Sequence, residues 1–367
     1  MTRARLRMRA AAAILSLLLF ALARPALAEG PKFKVDPFWP KPLPNNWIIG
    51  QVGGMAIDAQ DNIWVFQRPR SLTPDEKGAA LKPPRSKCCV PAPSVLVFNQ
   101  VGDVVKAWGG PGDNQGYDWP AQEHSILVDN KGFVWLSGNG KDDSMVLKFT
   151  TDGKFVKQLG RRGPLTSSTD LTQFGEVGGF AFDAAANEIY AADGYGNHRV
   201  AVLDADTGAI KRIWGAYGKP PTDQDLPKYN PDSPQFGNPV HCIGLAHDGL
   251  VYVCDRINNR IQVFHKDGSY VRQFVFDAKT QGSGSTWGMA FSPLDKTQDY
   301  FMLIDGTNNV MEAVRRSDGA VVGSFGSPGR NAGEFHWVHV GAFDSRGNFY
   351  TGEVDTGKRL QKWVPAN

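Results

Sequence analysis

The chain has 367 residues, 40 of them Lys or Arg and 37 Asp or Glu, for a formal net charge of +3. Five of the arginines lie in residues 1–28, so the remainder carries 35 basic against 37 acidic residues, a net of −2, and charge gives no nucleic-acid or membrane-surface reading. About 340 residues suffice for one large domain or two ordinary ones, and 41 Gly and 24 Pro among short runs of Val, Ile, Phe, Trp and Tyr favour many short strands over helices.

Arg3, Arg5, Arg7 and Arg9 precede an apolar stretch from Ala10 to Leu22 and the small residues Ala26-Leu27-Ala28. That order predicts a secretory signal peptide over residues 1–28. The stretch is shorter than the roughly 20 residues of a membrane span, and no later segment reaches about 18 apolar residues. The expected product is an exported protein, periplasmic or secreted, beginning near Glu29 and not inserted in a membrane. Export permits disulfides. Cys242 and Cys254 flank the turn His247-Asp248-Gly249 and would face each other in an antiparallel pair, as a bridge or as two buried thiols; Cys88-Cys89, in a Pro- and Lys-rich loop, reads as a vicinal disulfide or an exposed pair.

From there one unit recurs. First runs, small or apolar and ending at a turn, begin with "GGMAID" at 53, "HSILVD" at 124, "GGFAFD" at 178, "HCIGLA" at 241, "WGMAFS" at 287 and "HVGAFD" at 339. Second and third runs follow as in "YVCDRINNRIQVF" (252–264), and fourth runs such as "VVKAWG", "FVKQLG" and "IKRIWG" complete the unit. Period-2 alternation between Asp and Gly turns predicts four-stranded antiparallel meanders. One such sheet cannot bury both faces alone, and radial packing of six gives an all-β, six-bladed β-propeller over residues 29–367, with an insertion at 71–93. The sixth unit lacks a fourth strand, so the ring is expected to close with an N-terminal strand in the last blade, supplied by "FWPKPLPNNWIIGQ" (38–51).

Asp193, Asp255 and Asp305 end second strands, with Asn197 or Asn259 and Arg199 or Arg260 after them, a pattern that resembles NHL repeats. Its simplest role is structural, satisfying turn backbone and bridging blades.

Aligned on the turn, the six first strands lead with Gly53, His124, Gly178, His241, Trp287 and His339. Histidine occupies alternate units. Alternate blades of a six-bladed ring are about 120° apart and first strands line the channel, so three imidazoles should converge on one point. Three His with an open fourth position is the donor set of a catalytic zinc, although imidazole also suits other divalent transition metals. Arg68, after the second strand of unit one, and Tyr195, at the corresponding exit of unit three, should project at the same mouth, as a carboxylate fork and a proton donor or acceptor. Glycine at 53 and 178 is expected to leave space for substrate, and Trp287 to form a wall. His198, His247, His265 and His336 fall in turns or flanks.

These stretches resemble the catalytic core of peptidyl-α-hydroxyglycine α-amidating lyase, a six-bladed NHL-type propeller. The resemblance covers nearly all of the chain after the signal segment. It implies zinc on His124, His241 and His339, a catalytic arginine at Arg68, a catalytic tyrosine at Tyr195, and cleavage of the N–C bond of a carbinolamide, a small molecule or peptide, to an amide and glyoxylate. Two departures stand out: Trp337 replaces a Met two residues before the last His, and Val340 replaces the carboxylate of a calcium site whose carbonyls would come from Met55 and Ile126. Loss of the only carboxylate argues against calcium there. The alternatives are a metal-dependent hydrolase of the lactonase or esterase type, and a non-catalytic exported NHL propeller that binds a protein or glycan.

Overall fold

Asp58, Asp129 and Asp344 stand at the same point of three repeats and each does the same two things. One carboxylate oxygen accepts the backbone N–H groups two and four residues on (Gln60 and Asn62, Lys131 and Phe133, Arg346 and Asn348). The other accepts the polar end of a buried second-strand aromatic, the indole N–H of Trp64 or Trp135 or the hydroxyl of Tyr350. The turn between first and second strands is thereby tied to the core that the second strand builds.

The structure, a computed structural model, describes residues 30–112 and 115–366. The signal segment read in residues 1–28 lies outside these. Six four-stranded antiparallel sheets form the blades. Their inner strands are Gln51–Ile57, Glu123–Val128, Val177–Asp183, Val240–Leu245, Gly288–Ala290 and Val338–Phe343. Each packs beside the next and the last returns to the first, so the ring is a closed six-bladed propeller. Second and third strands are buried on both faces, as in Ile63–Arg68 and Val95–Phe98, while fourth strands such as Val104–Trp108 are half exposed. Among the described residues no helix is long and apolar enough to cross a membrane.

The NHL polar residues are structural. Arg199 and Arg260 are fully buried and donate to Asp193 (2.7 Å) and Asp255 (2.8 Å). Their remaining N–H groups reach carbonyls of the loop entering the blade: Ser168, Asp170 and Gln173 in blade three, Pro231 and Gln235 in blade four. The two carboxylates accept the backbone N–H of Gly175 and Gly237. Such pairs survive burial because both carboxylate oxygens and four of the five N–H groups of each guanidinium find partners. Blade six repeats the device with Glu353 and Arg359. Blade five does not: Asp305 stands opposite Val310.

Ring closure by an N-terminal strand holds, but the strand is Lys32–Asp36, antiparallel to Leu360–Ala366, and not the 38–51 segment. Pro40, Pro42 and Pro44 deprive that segment of ladder donors, whereas "KFKVD" has an unbroken backbone. Part of 38–51, Trp47–Ile48, pairs in parallel with Val90–Pro91 at the end of the insertion. The insertion is also tied to blade six through Glu76 and Lys358 (2.7 Å). Both cysteine pairs, Cys88–Cys89 and Cys242–Cys254, are disulfides, the second between residues opposite each other in the register of blade four.

Candidate metal centre

In five blades the pairing of first and second strands is broken at one residue: Gly53, His124, Gly178, His241 and His339 are each skipped by the register. A bulge leaves its extra residue unpaired and re-aims its side chain. The histidine column of the sequence is therefore a column of bulges at one height in the channel. The three imidazole centroids form a near-equilateral triangle with sides of 5.2, 4.9 and 5.0 Å. All three residues are buried, at 1–2% exposure.

Hydrogen bonds fix the tautomers. The Nδ1 atoms of His241 and His339 face the carbonyl oxygens of Trp287 and Val52, so each carries a proton. Nδ1 of His124 lies 3.2 Å from Ser125 Oγ, whose own proton goes to the Val177 carbonyl, so it too must donate. Every Nε2 is then a bare lone pair, and the three ligand atoms lie within 4.8 Å of one another. Nε2 of His241 and of His339 are 3.2 Å apart. Two nitrogens on a tetrahedral zinc, each at about 2.0–2.1 Å, are separated by about 3.3 Å. Lone pairs face to face repel unless a cation lies between them. The donor set, its spacing and its outer-shell acceptors therefore fit a three-coordinate metal site with an open position. Burial, mutual repulsion and the nearby guanidiniums of Arg68 and Arg256 hold all three imidazoles well below their ordinary value, so they are neutral and available as ligands.

Tyr195 comes to the same place. Its hydroxyl is 3.0 Å from His124 Nε2 and accepts an N–H from Arg256 at 3.1 Å. Arg68 is 7% exposed; it donates through Nε to the Glu123 carbonyl (2.6 Å) and through its terminal nitrogens to Gln51 (2.7 Å) and Asn139 (3.2 Å). Three of its five N–H groups are thus spent on holding it, and one per terminal nitrogen is left. Burial lowers its pKa against the counter-pull of Tyr195, Glu123 and Asp355.

Arg256 was not singled out in the sequence, yet it occupies the same column as Arg68. Each follows directly the residue that pairs with the last position before the bulge, Gln67 in blade one and Asp255 in blade four. Blades one and four are opposite one another, so two guanidiniums flank the axis. Counting one place beyond the NHL aspartate would have found it. Glycine at 53 and 178 has a different purpose from the one expected: a Cβ there would meet the backbone of the next blade, Glu123 O at 2.3 Å and His241 O at 2.7 Å, so these glycines let neighbouring strands close rather than hold room for substrate. The bore holds a cavity of about 110 Å³ lined by the three histidines together with Met55, Ile126, Phe180, Ile243 and Met289. No residue of the 71–93 insertion lines it. His198 and His336 make local bonds, to the Phe236 carbonyl and to Thr356.

No family model matches the chain. It is 28% identical over 247 residues to mouse NHL repeat-containing protein 3, covering 65% of this chain and 58% of that protein. It is 26% identical over 219 residues to a probable peptidyl-α-hydroxyglycine α-amidating lyase of Caenorhabditis elegans, covering 59% and 56%. The chain is an NHL-type six-bladed propeller that resembles the amidating lyase. The match spans little more than half the length of each of these two relatives. In fold it is also similar to a streptogramin B lyase structure, with a TM-score of 0.53 at 13% identity over 91% of this chain and 98% of that one.

Proposed function

We propose that the propeller is an exported, zinc-dependent lyase that cleaves the N–C bond of a carbinolamide, R–CO–NH–CH(OH)–COO⁻, to the amide and glyoxylate. The observation that carries this reading is the meeting of three bare imidazole nitrogens with a tyrosine hydroxyl 3.0 Å from one of them, between two arginines. The resemblance to the amidating lyase supports it.

Zinc bound there would polarise the substrate hydroxyl and make its proton easy to remove near neutral pH. Tyr195 moves that proton. The C–O bond becomes C=O, the C–N bond breaks, and the proton returns to the amide nitrogen, so atoms balance with no redox step. Arg256 keeps a fixed donor on the phenol oxygen, the atom that gains negative charge when the tyrosine gives up its proton. Arg68 offers its two remaining N–H groups to the substrate carboxylate.

The test is elemental analysis of the purified protein followed by glyoxylate release from α-hydroxyhippurate. One equivalent of zinc and stoichiometric glyoxylate are expected. Zinc without glyoxylate, together with turnover of a lactone panel, would replace the lyase with a hydrolase; no zinc would remove metal chemistry altogether.

A further inference from the structure

The mouth above the imidazoles is divided by chemistry. Going round the ring, blades one to four present Arg68, Asn139, Tyr195 and Arg256, all joined by hydrogen bonds to the site. Blades five and six present indoles. Trp287 stands edge-on to His339 (5.8 Å) and close to His241 (6.1 Å), with the Arg256 guanidinium 4.6 Å over its ring. Trp287 is itself buried, and Trp337 packs outside it, ring centroids 5.9 Å apart and tilted by 36°. Trp337 remains partly exposed.

Its backbone is unusual. Trp337 has φ 59°, the left-handed region that bulky side chains rarely occupy. The conformation is held from both sides: its N–H donates to Asn309 Oδ1 and its carbonyl accepts from Val354 N–H. A large side chain kept in so disfavoured a conformation beside an active-site mouth points to a role for that side chain.

We propose that Trp337 is the specificity-determining residue of the site, forming with Trp287 an aromatic subsite for a flat aryl group on the substrate's acyl end. This rests on the lyase reading. A substrate with its carboxylate at Arg68 and its hydroxyl on the axis beside Tyr195 finds blades two, three and four occupied by Asn139, Tyr195 and Arg256. Its acyl group must leave over blades five and six, across the indole of Trp337. An aroyl group would stack there; a short alkyl group would leave the indole uncovered.

The experiment compares N-benzoyl- and N-acetyl-α-hydroxyglycine in the native protein, Trp337→Leu and Trp337→Phe, with benzamide binding followed by indole fluorescence in the same three proteins. The native protein should show a KM for the benzoyl compound about tenfold below that for the acetyl compound, with similar kcat. Trp337→Leu should bring the two within about twofold and weaken benzamide by about the same factor as it raises the benzoyl KM, while Trp337→Phe retains most of the preference. An unchanged KM ratio in Trp337→Leu, or benzamide binding equal in all three proteins, overturns the subsite. If neither compound yields glyoxylate the lyase reading fails, and the benzamide titration alone then decides the subsite.

Discussion

The metal site makes a quantitative prediction for stability. The perturbation is removal of zinc by a chelator, and then Zn²⁺ restored in excess. Three neutral, buried imidazoles with facing lone pairs have no better partner than a cation, so the folded state should bind zinc far more tightly than the unfolded chain does. At free metal about 1,000-fold above the dissociation constant, linkage stabilises the fold by about 4 kcal/mol. The unfolding entropy of about 340 residues at about 2.1 cal/mol/K each is about 0.7 kcal/mol/K, so Tm should rise by about 6 °C. His241→Ala should abolish the metal-dependent part while leaving the blades intact, because Cys242–Cys254 and the Asp255–Arg260 pair still hold that sheet. Since burial and the two guanidiniums keep all three imidazoles well below their usual value, zinc should be retained at pH 6, where an ordinary histidine is more than half protonated. The assay is scanning calorimetry with paired metal analysis. Chelated and zinc-loaded melts within a degree of each other, or a full equivalent of zinc in His241→Ala, would refute the reasoning.

Three further outcomes follow from the geometry. Tyr195→Phe should keep its zinc and lose about 10²- to 10⁴-fold in kcat, the usual worth of a positioned acid or base; an unchanged rate removes Tyr195 from the reaction. Arg256→Gln, which takes a charged donor from the phenol oxygen, should lower kcat by about 10- to 100-fold with zinc content intact, and a change confined to KM would make Arg256 a binding group instead. In blade five, burial and the neighbouring carboxylates push Glu312 up to about 7, and burial pushes Asp305 up to about 6. Folded pKa values above the unfolded ones mean that the folded state holds extra protons, so this contribution to stability is whole below about pH 4 and is lost as pH rises through about 7. After allowance for the solvent that Glu312 retains, Glu312→Gln should stabilise the protein by about 1–2 kcal/mol at pH 8 and by almost nothing at pH 5; equal gains at both pH values would show that its charge is not the cause.

Six blades, their four-strand make-up and the alternation of histidine were all readable, because each rests on local signals that recur: Asp turns, period-2 runs and a fixed offset from the turn. What escaped depended on how neighbours meet. The place of 38–51 before the first unit marks it as the closing strand, while the ladder goes to "KFKVD", free of proline. The glycines at 53 and 178 look like empty space in a sequence, and only the approach of the next blade reveals that backbone fills it. Arg256 sat in plain view after Asp255, masked by the structural role of the NHL residues around it. Blade five's missing arginine was equally visible, since Val310 stands where Arg199 and Arg260 stand in their repeats, but its effect on Asp305 and Glu312 needed their burial.

Why histidine occurs in alternate blades follows from the bulge column itself. Five inner strands aim bulged residues at one axis, and two of the places between histidines are closed to any side chain: a Cβ on Gly53 would strike the His124 strand, and one on Gly178 the His241 strand. Each histidine-bearing blade therefore borders a blade whose own place has been given up to backbone packing, or, at Trp287, to a side chain that packs against the site. Those blades still contribute. The proton on each Nδ1 is directed by a carbonyl of the blade that follows: Val177 in blade three, through Ser125, for His124; Trp287 in blade five for His241; Val52 in blade one for His339. Three blades supply the ligands and the other three orient them, so a trigonal set of nitrogens with matched tautomers arises from a sixfold scaffold.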